Sequence, residues 1–291
     1  MAAETIPRRS RLGYPRTVPS WWLLYDAMRF CWLLAIPTVL AAQTPPGIAA
    51  ERADFARWLT TSPVSPFAAV YHQPFSGELV FGPGGDPALA PLPHATLRQT
   101  LLRLELETAD GTRTVPRNRD ISLGEWRIRV SGDRARSSVT VFNPTYDAKA
   151  PEWFPYAPDL VVVGTLVPPA LREPRRMLGL DGIEVEATPA GTFAATVAGS
   201  AVQLSVFAMP EPGTEEADLT IYFQDPTNGH GTYPAGRFLA LRPLGGNRYR
   251  ADFNRARNPF CAYNSVFPCP LPWPGNRIDA AIEAGEKYLA P

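Results

Sequence analysis

The side chains that could do chemistry lie mainly in the last third of the chain. Asp225 and His230 stand in a glycine-rich loop, and Asp252 ends a later strand pattern. Two carboxylates that face one cleft can act as general acid and general base. One hypothesis is therefore a hydrolase in which Asp225 and Asp252 form the working pair, with His230 as a further candidate. The structural alternative is that each aspartate binds the backbone of its own turn.

Cys261 and Cys269 are the two cysteines of this region, and the third cysteine, Cys31, lies near the amino terminus. Cysteines of exported proteins usually pair. We therefore predict a disulfide between Cys261 and Cys269. The alternative is a nucleophilic Cys261 served by His230, which requires a free thiol and a third group that orients the histidine.

Four polar side chains form a candidate binding site for a small polar or anionic ligand: Tyr233, Arg237, Asn254 and Asn258. A guanidinium group can bind an anion through two parallel hydrogen bonds. Arg237 could equally pair with a carboxylate and lock the carboxy-terminal segment onto a sheet. Antiparallel pairing of residues 219–224 with residues 236–241 would carry Arg237 towards Asp225, whereas Asp252 is the other candidate partner.

No metal site or cofactor is expected from the sequence. The three histidines, His72, His94 and His230, lie far apart, and no zinc-binding spacing is present. Oxygen ligands from Asp225, Asp252 and Asn254 could hold calcium, which stays an alternative.

Composition predicts a β-rich chain with a real core. The chain has 291 residues, of which 45% are hydrophobic, and it contains 33 prolines and 22 glycines. Such frequent turn residues suit many short strands better than long helices. Lys and Arg together number 28, as do Asp and Glu. The absence of a net basic charge argues against a nucleic-acid partner.

Residues 28–42 have the pattern of a signal peptide. An arginine precedes an apolar run over residues 30–40, and small residues follow it. The run is too short to span a bilayer as a helix. We therefore predict an exported protein, periplasmic or extracellular, with no stable membrane span after cleavage.

Translation is expected to start at Met28 rather than Met1, so that residues 1–42 comprise a spurious extension and a signal peptide. The mature chain would then begin at Ala42 or Gln43. The alternatives are an extended signal that starts at Met1 and an anchor that is not cleaved.

The remaining chain divides into three parts by its patterns. Residues 43–66 read as a linker and a helix, with apolar residues near helical spacing from Ile48 to Leu59. Residues 67–150 alternate apolar and polar side chains and predict a small antiparallel β-sandwich, in which one strand includes Leu102. Residues 151–291 predict a second β domain.

That second domain is expected to hold an antiparallel sheet or half-barrel. Its first strand, Leu160–Val167, is almost continuously apolar and is predicted to be buried on both faces. The proline-rich segment from Asp252 to Glu286 should wrap the sheet and end in a short helix from Asp279 to Tyr288. The predicted fold class is therefore mainly β.

Two stretches of the carboxy-terminal region carry a family resemblance. They read FQDPTNGHGTYPAGRFL over residues 223–239 and DFNRARNPFCAYNSVFPCPLPWPGNRIDAAIEAGE over residues 252–286. The matching positions are Asp225, Thr227, Gly229, Thr232, Tyr233, Gly236 and Arg237, then Asp252, Asn254, Asn258, Cys261, Cys269, Asn276, Gly285 and Glu286. On these residues the chain resembles the bacterial and archaeal family called domain of unknown function 1684. The resemblance implies no activity, because none is assigned to the family.

Two functions therefore stay open. The first is a binding or structural module that holds a small-molecule ligand near Arg237. The second is the hydrolase with Asp225 and Asp252. Carboxylates that line one accessible cleft would favour the enzyme, and carboxylates engaged in buried ion pairs would favour the module. The sequence makes no prediction of oligomeric state.

Overall fold

The computed structural model describes residues 42–133, 135–210 and 217–288. The predicted signal peptide and both candidate start sites fall within residues 1–41 and so lie outside the described residues. Helix α1, Pro46–Thr61, confirms the predicted helix. It begins with proline in its first turn, where the missing backbone N–H is not needed. Ile48 and Leu59 are its buried residues.

An eight-stranded sandwich follows the helix and confirms the predicted architecture. Its strands are β1 Ala69–Phe75, β2 Glu78–Phe81, β3 Ala95–Gln99, β4 Leu104–Thr108, β5 Gly111–Val115, β6 Asp120–Leu123, β7 Trp126–Gly132 and β8 Ser137–Phe142. The two antiparallel sheets have the orders β1-β8-β7-β6 and β2-β3-β4-β5 and share one hydrophobic core. Leu102 lies in the turn before β4, not in the strand, and is 78% exposed.

The second β domain has the predicted antiparallel sheet, and this sheet closes into a full barrel. Its strands are β9 Val161–Val167, β10 Arg175–Leu178, β11 Glu184–Val197, β12 Ser200–Pro210, β13 Ala217–Phe223, β14 Arg237–Gly245 and β15 Arg248–Asp252. The order is β10-β11-β12-β13-β14-β15-β9, and β9 also pairs with β11. Six antiparallel strands therefore form a ring, and β10 extends the sheet at one end of β11.

Gly164 permits the close approach of β9 to β11 that completes the ring. A Cβ atom at this position would lie 2.5 Å from the carbonyl oxygen of Ala194, which is too close for any side chain. The prediction that β9 is buried on both faces is wrong, because Val163 and Val167 are 47% and 53% exposed. One face of β9 lines the barrel core, and the other faces outward.

The carboxy-terminal segment wraps the barrel, but the predicted helix over residues 279–288 is wrong. Residues 279–288 form bends and an isolated bridge instead of a helix, and Ile282, Ala284 and Glu286 are buried while Ala281 and Glu283 are exposed. The backbone groups of this segment bond to other parts of the chain, so they cannot form a helix. A short apolar run can fit either helical or strand spacing, and here the long-range contacts decide.

Aromatic side chains join the sandwich to the barrel. Phe142 at the end of β8 belongs to the same core cluster as Phe207, Phe260 and Trp273. The sandwich and the barrel lie in one compact unit. No helix in the described part of the chain is long and apolar enough to cross a membrane.

Candidate functional site

Arg237 and Asp225 form an ion pair inside the protein. Strand pairing places Phe223 opposite Arg237, as the predicted pairing of the two strands requires. Arg237 Nη2 lies 3.1 Å from Asp225 Oδ1, and both side chains are 0% exposed. Burial lowers the pKa of Arg237, and the charge of Asp225 opposes this effect. Arg237 therefore has no surface to offer to a ligand.

The same arginine fastens the carboxy-terminal segment. It donates hydrogen bonds to the carbonyl oxygens of Ala284 and, at 2.9 Å, of Ile282. Asp225 Oδ2 accepts from the backbone N–H of Ile282 at 2.8 Å and from the Thr227 hydroxyl at 2.7 Å. Both carboxylate oxygens of Asp225 are thus occupied by partners within the protein.

Asp252 belongs to a second network. Its Oδ1 atom accepts from the backbone N–H and the side-chain amide of Asn254, at 3.1 and 3.0 Å. Its Oδ2 atom accepts from Arg255 at 3.2 Å. Asn254 in turn bonds both backbone groups of Ala157 at 2.8 and 2.9 Å. The aspartate therefore caps its own turn, which was the structural alternative.

Asn258 and Glu286 close a third network at the end of the segment. Glu286 Oε2 accepts from the backbone N–H of Asn258 at 2.9 Å, and Glu286 Oε1 accepts from the Tyr263 hydroxyl at 2.6 Å. The side-chain amide of Asn258 donates to the carbonyl of Lys287 at 2.9 Å. Burial raises the pKa of Glu286 to about 7, although both hydrogen bonds and two nearby arginines oppose this shift.

Cys261 and Cys269 are free cysteines in the structure, not the predicted disulfide. Their two thiols nevertheless contact each other, and the Tyr233 hydroxyl oxygen is 3.2 Å from one Sγ atom and 3.1 Å from the other. The pKa of Cys261 is raised to about 12, and burial of the thiol is the largest cause. A thiol with such a pKa carries little thiolate at neutral pH, which argues against the nucleophile.

His230 does not complete a catalytic pair. Its exposed ring donates to the carbonyl of Asn228, two residues earlier, at 3.2 Å. Among the described residues, no group of three or more His, Cys, Asp or Glu side chains is arranged to hold a metal ion. Tyr233, the remaining predicted ligand contact, is 8% exposed and bonds to the two cysteines.

Arg237, Asp225, Asn258 and Glu286 therefore hold the carboxy-terminal segment in place, and a separate cavity is the better candidate site. The cavity has a volume of about 330 Å³ and lies between α1 and the outer face of β13 and β14. Among the described residues, six charged side chains line it: Glu51, Arg52, Asp218, Arg242, Arg255 and Arg257. We call it the arginine cavity. Asn254 is the one predicted site residue that lines it.

Small or apolar side chains form the floor and one wall of the arginine cavity. Thr220 and Ala240, which are partners on neighbouring strands, form a floor of small side chains. Phe238 continues the floor, whereas Phe55 of α1 and Trp153, which lies between β8 and β9, form an aromatic wall with ring centroids 6.1 Å apart. Ligand pockets of proteins commonly combine such apolar walls with a few charged groups.

The arginines of the cavity differ in how firmly they are held. Arg52 lies over the Trp153 ring at 4.7 Å and donates to the carbonyl oxygens of Phe154 and Asn254. Arg255 is engaged by Glu51 through two hydrogen bonds of 2.7 and 2.8 Å. Arg242 is 59% exposed, and its contact with Asp218 is 3.7 Å, longer than a hydrogen bond. Arg242 is therefore the least engaged of these three cations.

This cavity could not be predicted from the sequence, because its walls come from distant parts of the chain. One local signal was available. Side chains alternate along β14, so Phe238, Ala240 and Arg242 must face away from the barrel core that Leu239 and Leu241 enter. Nothing in the sequence indicates that α1 and Trp153 cover this outer face.

Comparison with known proteins gives a family but no activity. No curated protein matches the chain. The solution NMR structure of an uncharacterized protein from Haloarcula marismortui is similar to part of it, with 30% sequence identity and a TM-score of 0.42. That match covers 48% of this chain and 76% of the archaeal one. The sequence profile of the family described as Protein of unknown function (DUF1684) matches residues 149–287, which include the barrel and its wrap. The chain belongs to this family.

Proposed function

We propose that the protein is an exported binding module that holds a small anionic ligand in the arginine cavity. The single observation that carries the proposal is the charge of the lining, in which, among the described residues, four arginines face two carboxylates. Asp252 pairs with Arg255, so that the described side chains of the lining and Asp252 together carry an excess of one positive charge. Export rests on the signal-peptide pattern of residues 28–42.

The buried networks favour this module over the hydrolase. A general acid or base must reach a substrate within hydrogen-bond distance. The side chains of Asp225 and Asp252 are 0% and 8% exposed. Each of their four oxygen atoms already accepts a hydrogen bond from the protein. Their geometry suits turns and ion pairs rather than acid–base work.

A small organic anion should raise the melting temperature of residues 43–291, because a ligand that binds only the folded state stabilises it. The experiment measures thermal unfolding with benzoate, phenyl phosphate, benzenesulfonate, inorganic phosphate and acetate. At a concentration of about 100 times Kd the gain is about 2.7 kcal/mol. At least one of these anions should give a shift that saturates with concentration.

Ala240→Trp is the variant that should abolish the shift. Ala240 lies on the cavity floor, and a tryptophan side chain there would fill much of the volume. Thr196→Trp, at an exposed position of β11, is the matched control and should keep the shift. A shift that survives Ala240→Trp, or no shift with any anion, would refute binding in this cavity.

Export carries a second prediction, the disulfide between Cys261 and Cys269. The Tyr233 hydroxyl contacts both sulfur atoms, so a small movement of the loop brings them within bonding distance of about 2 Å. A small disulfide compound accepts the two electrons and two protons and is reduced to two thiols. Closing so short a loop stabilises the protein by about 2–3 kcal/mol.

Thiol labelling of the exported, unfolded and unreduced protein should therefore find almost no free thiol. The same protein after reduction is the control and should show two. Two reactive thiols before reduction would contradict the disulfide and would revive Cys261 as a candidate nucleophile.

A further inference from the structure

The size of the arginine cavity limits its ligand to a small molecule. A cavity of roughly 150 Å³ can hold a benzene molecule. The arginine cavity, at about 330 Å³, is roughly twice as large. It therefore has room for one or two aromatic rings together with a small charged group.

The shape of the cavity favours a planar apolar body. Thr220 and Ala240 leave a flat strip on the outer face of the sheet because their side chains are small. Phe238 borders this strip, and the Phe55 and Trp153 rings stand over it at 68° to each other. Aromatic rings prefer offset stacking or edge-to-face contacts with other rings, and this corner offers ring faces and ring edges.

The charges of the cavity favour a ligand that carries a single negative charge. Arg255 already forms ion pairs with Glu51 and Asp252. Among the described residues, the ion-pair partner of Arg242, at the exposed end of the floor, is Asp218 at 3.7 Å. Counted over the described residues, the lining and Asp252 together keep an excess of one positive charge. A monoanion balances this charge, whereas a dianion would also be repelled by Asp218 and Glu51.

On the basis of the proposed binding function, we infer that the ligand class is aromatic monocarboxylates, with the ring on the Thr220–Ala240 strip and the carboxylate at Arg242. A carboxylate matches a guanidinium group through two parallel hydrogen bonds. Arg52 and Arg257, held over the Trp153 and Phe55 rings, supply the positive potential of the aromatic wall.

Four probes test the class by calorimetric titration of residues 43–291 at about 0.15 M salt. They are 2-naphthoate, the neutral 2-naphthamide, the dianionic 1-naphthyl phosphate and acetate. We expect 2-naphthoate to bind at least about tenfold more tightly than each of the others, because the loss of either the charge or the ring removes one set of contacts.

Arg242→Gln should weaken 2-naphthoate binding about tenfold and leave 2-naphthamide binding unchanged. Arg250→Gln removes the same charge from the paired position on β15, outside the cavity lining, and should change the affinity less than about twofold. Equal effects of the two variants would overturn the placement of the carboxylate at Arg242.

The outcomes separate this inference from the proposed function. One outcome is that 1-naphthyl phosphate or 2-naphthamide binds most tightly and that this binding is lost in Ala240→Trp. That outcome would overturn the monocarboxylate class and leave the cavity as a ligand site. Binding of 2-naphthoate that persists in Ala240→Trp, or no binding of any probe together with no shift from the smaller anions, would overturn both.

Discussion

Replacing Arg237 with alanine should lower the free energy of unfolding by about 3–5 kcal/mol, the usual cost of breaking a buried ion pair from one side. The variant leaves the Asp225 charge inside the protein at a position with 0% exposure. It also leaves the carbonyl oxygens of Ile282 and Ala284 without their donor. Chemical denaturation at pH 7 measures the loss, with the native protein measured in parallel.

Arg237→Lys should recover only part of this stability. Lysine keeps the positive charge, but its single ammonium group cannot reproduce the planar fork that serves Asp225, Ile282 and Ala284 together. Arg242→Ala, five residues along the same strand, is the matched control. Its exposed contact with Asp218 should contribute less than about 1 kcal/mol. A loss below about 1 kcal/mol for Arg237→Ala would contradict the structural role of the pair.

The strand pairing that brings Arg237 to Asp225 was predictable from the sequence because it is local. A loop between Phe223 and Arg237 joins two strands whose alternation is clear, and the observed register matches the prediction. The turns at Asp252 and Asn254 were also open to prediction, since these residue types commonly bind their own backbone. Local chemistry of this kind needs no knowledge of distant segments.

The closure of the barrel was not predictable, because it depends on contacts between distant residues. Val161 pairs with Asp252 across 91 positions of sequence, and Thr165 pairs with Ala194. Alternation along one strand shows which face is buried and does not show which strand lies beside it. Gly164 is meaningful only once β11 is known to lie against it.

The arginine cavity escaped prediction for the same reason. Its aromatic wall joins Phe55 and Trp153, which are almost a hundred residues apart in the chain. The sequence pointed instead to ionisable residues of the family resemblance, such as Asp225, Asp252 and Arg237, and these are buried. In this fold many of them hold the carboxy-terminal segment in place. The exposed arginines of the cavity, such as Arg242, belong to no motif that marks them in the sequence.

Replacing Glu286 with glutamine should change how stability depends on pH. Burial raises the pKa of Glu286 from 4.5 to about 7 in the folded protein. The folded state therefore holds this proton more tightly than the unfolded state does. The resulting stability is fully present below about pH 4.5 and is lost as the pH rises through about 7, at a total of about 3 kcal/mol.

Glutamine stays neutral over this range, so the variant does not lose this stability as the pH rises. Its amide can still accept from the backbone N–H of Asn258 and can donate to the Tyr263 oxygen, the two partners of Glu286. Between pH 5 and pH 8, the difference in unfolding free energy should shift by about 2–3 kcal/mol in favour of Glu286→Gln. Denaturation curves at several pH values measure this shift.

Glu283→Gln is the control for the pH experiment, because Glu283 is exposed three residues earlier in the same segment. Its unfolding free energy should follow the native protein across the pH range. If Glu286→Gln also runs parallel to the native protein from pH 5 to pH 8, then Glu286 ionises freely in the fold. The contacts with Tyr263 and Asn258 would then compensate for its burial, and the wrap would hold a charged carboxylate at neutral pH.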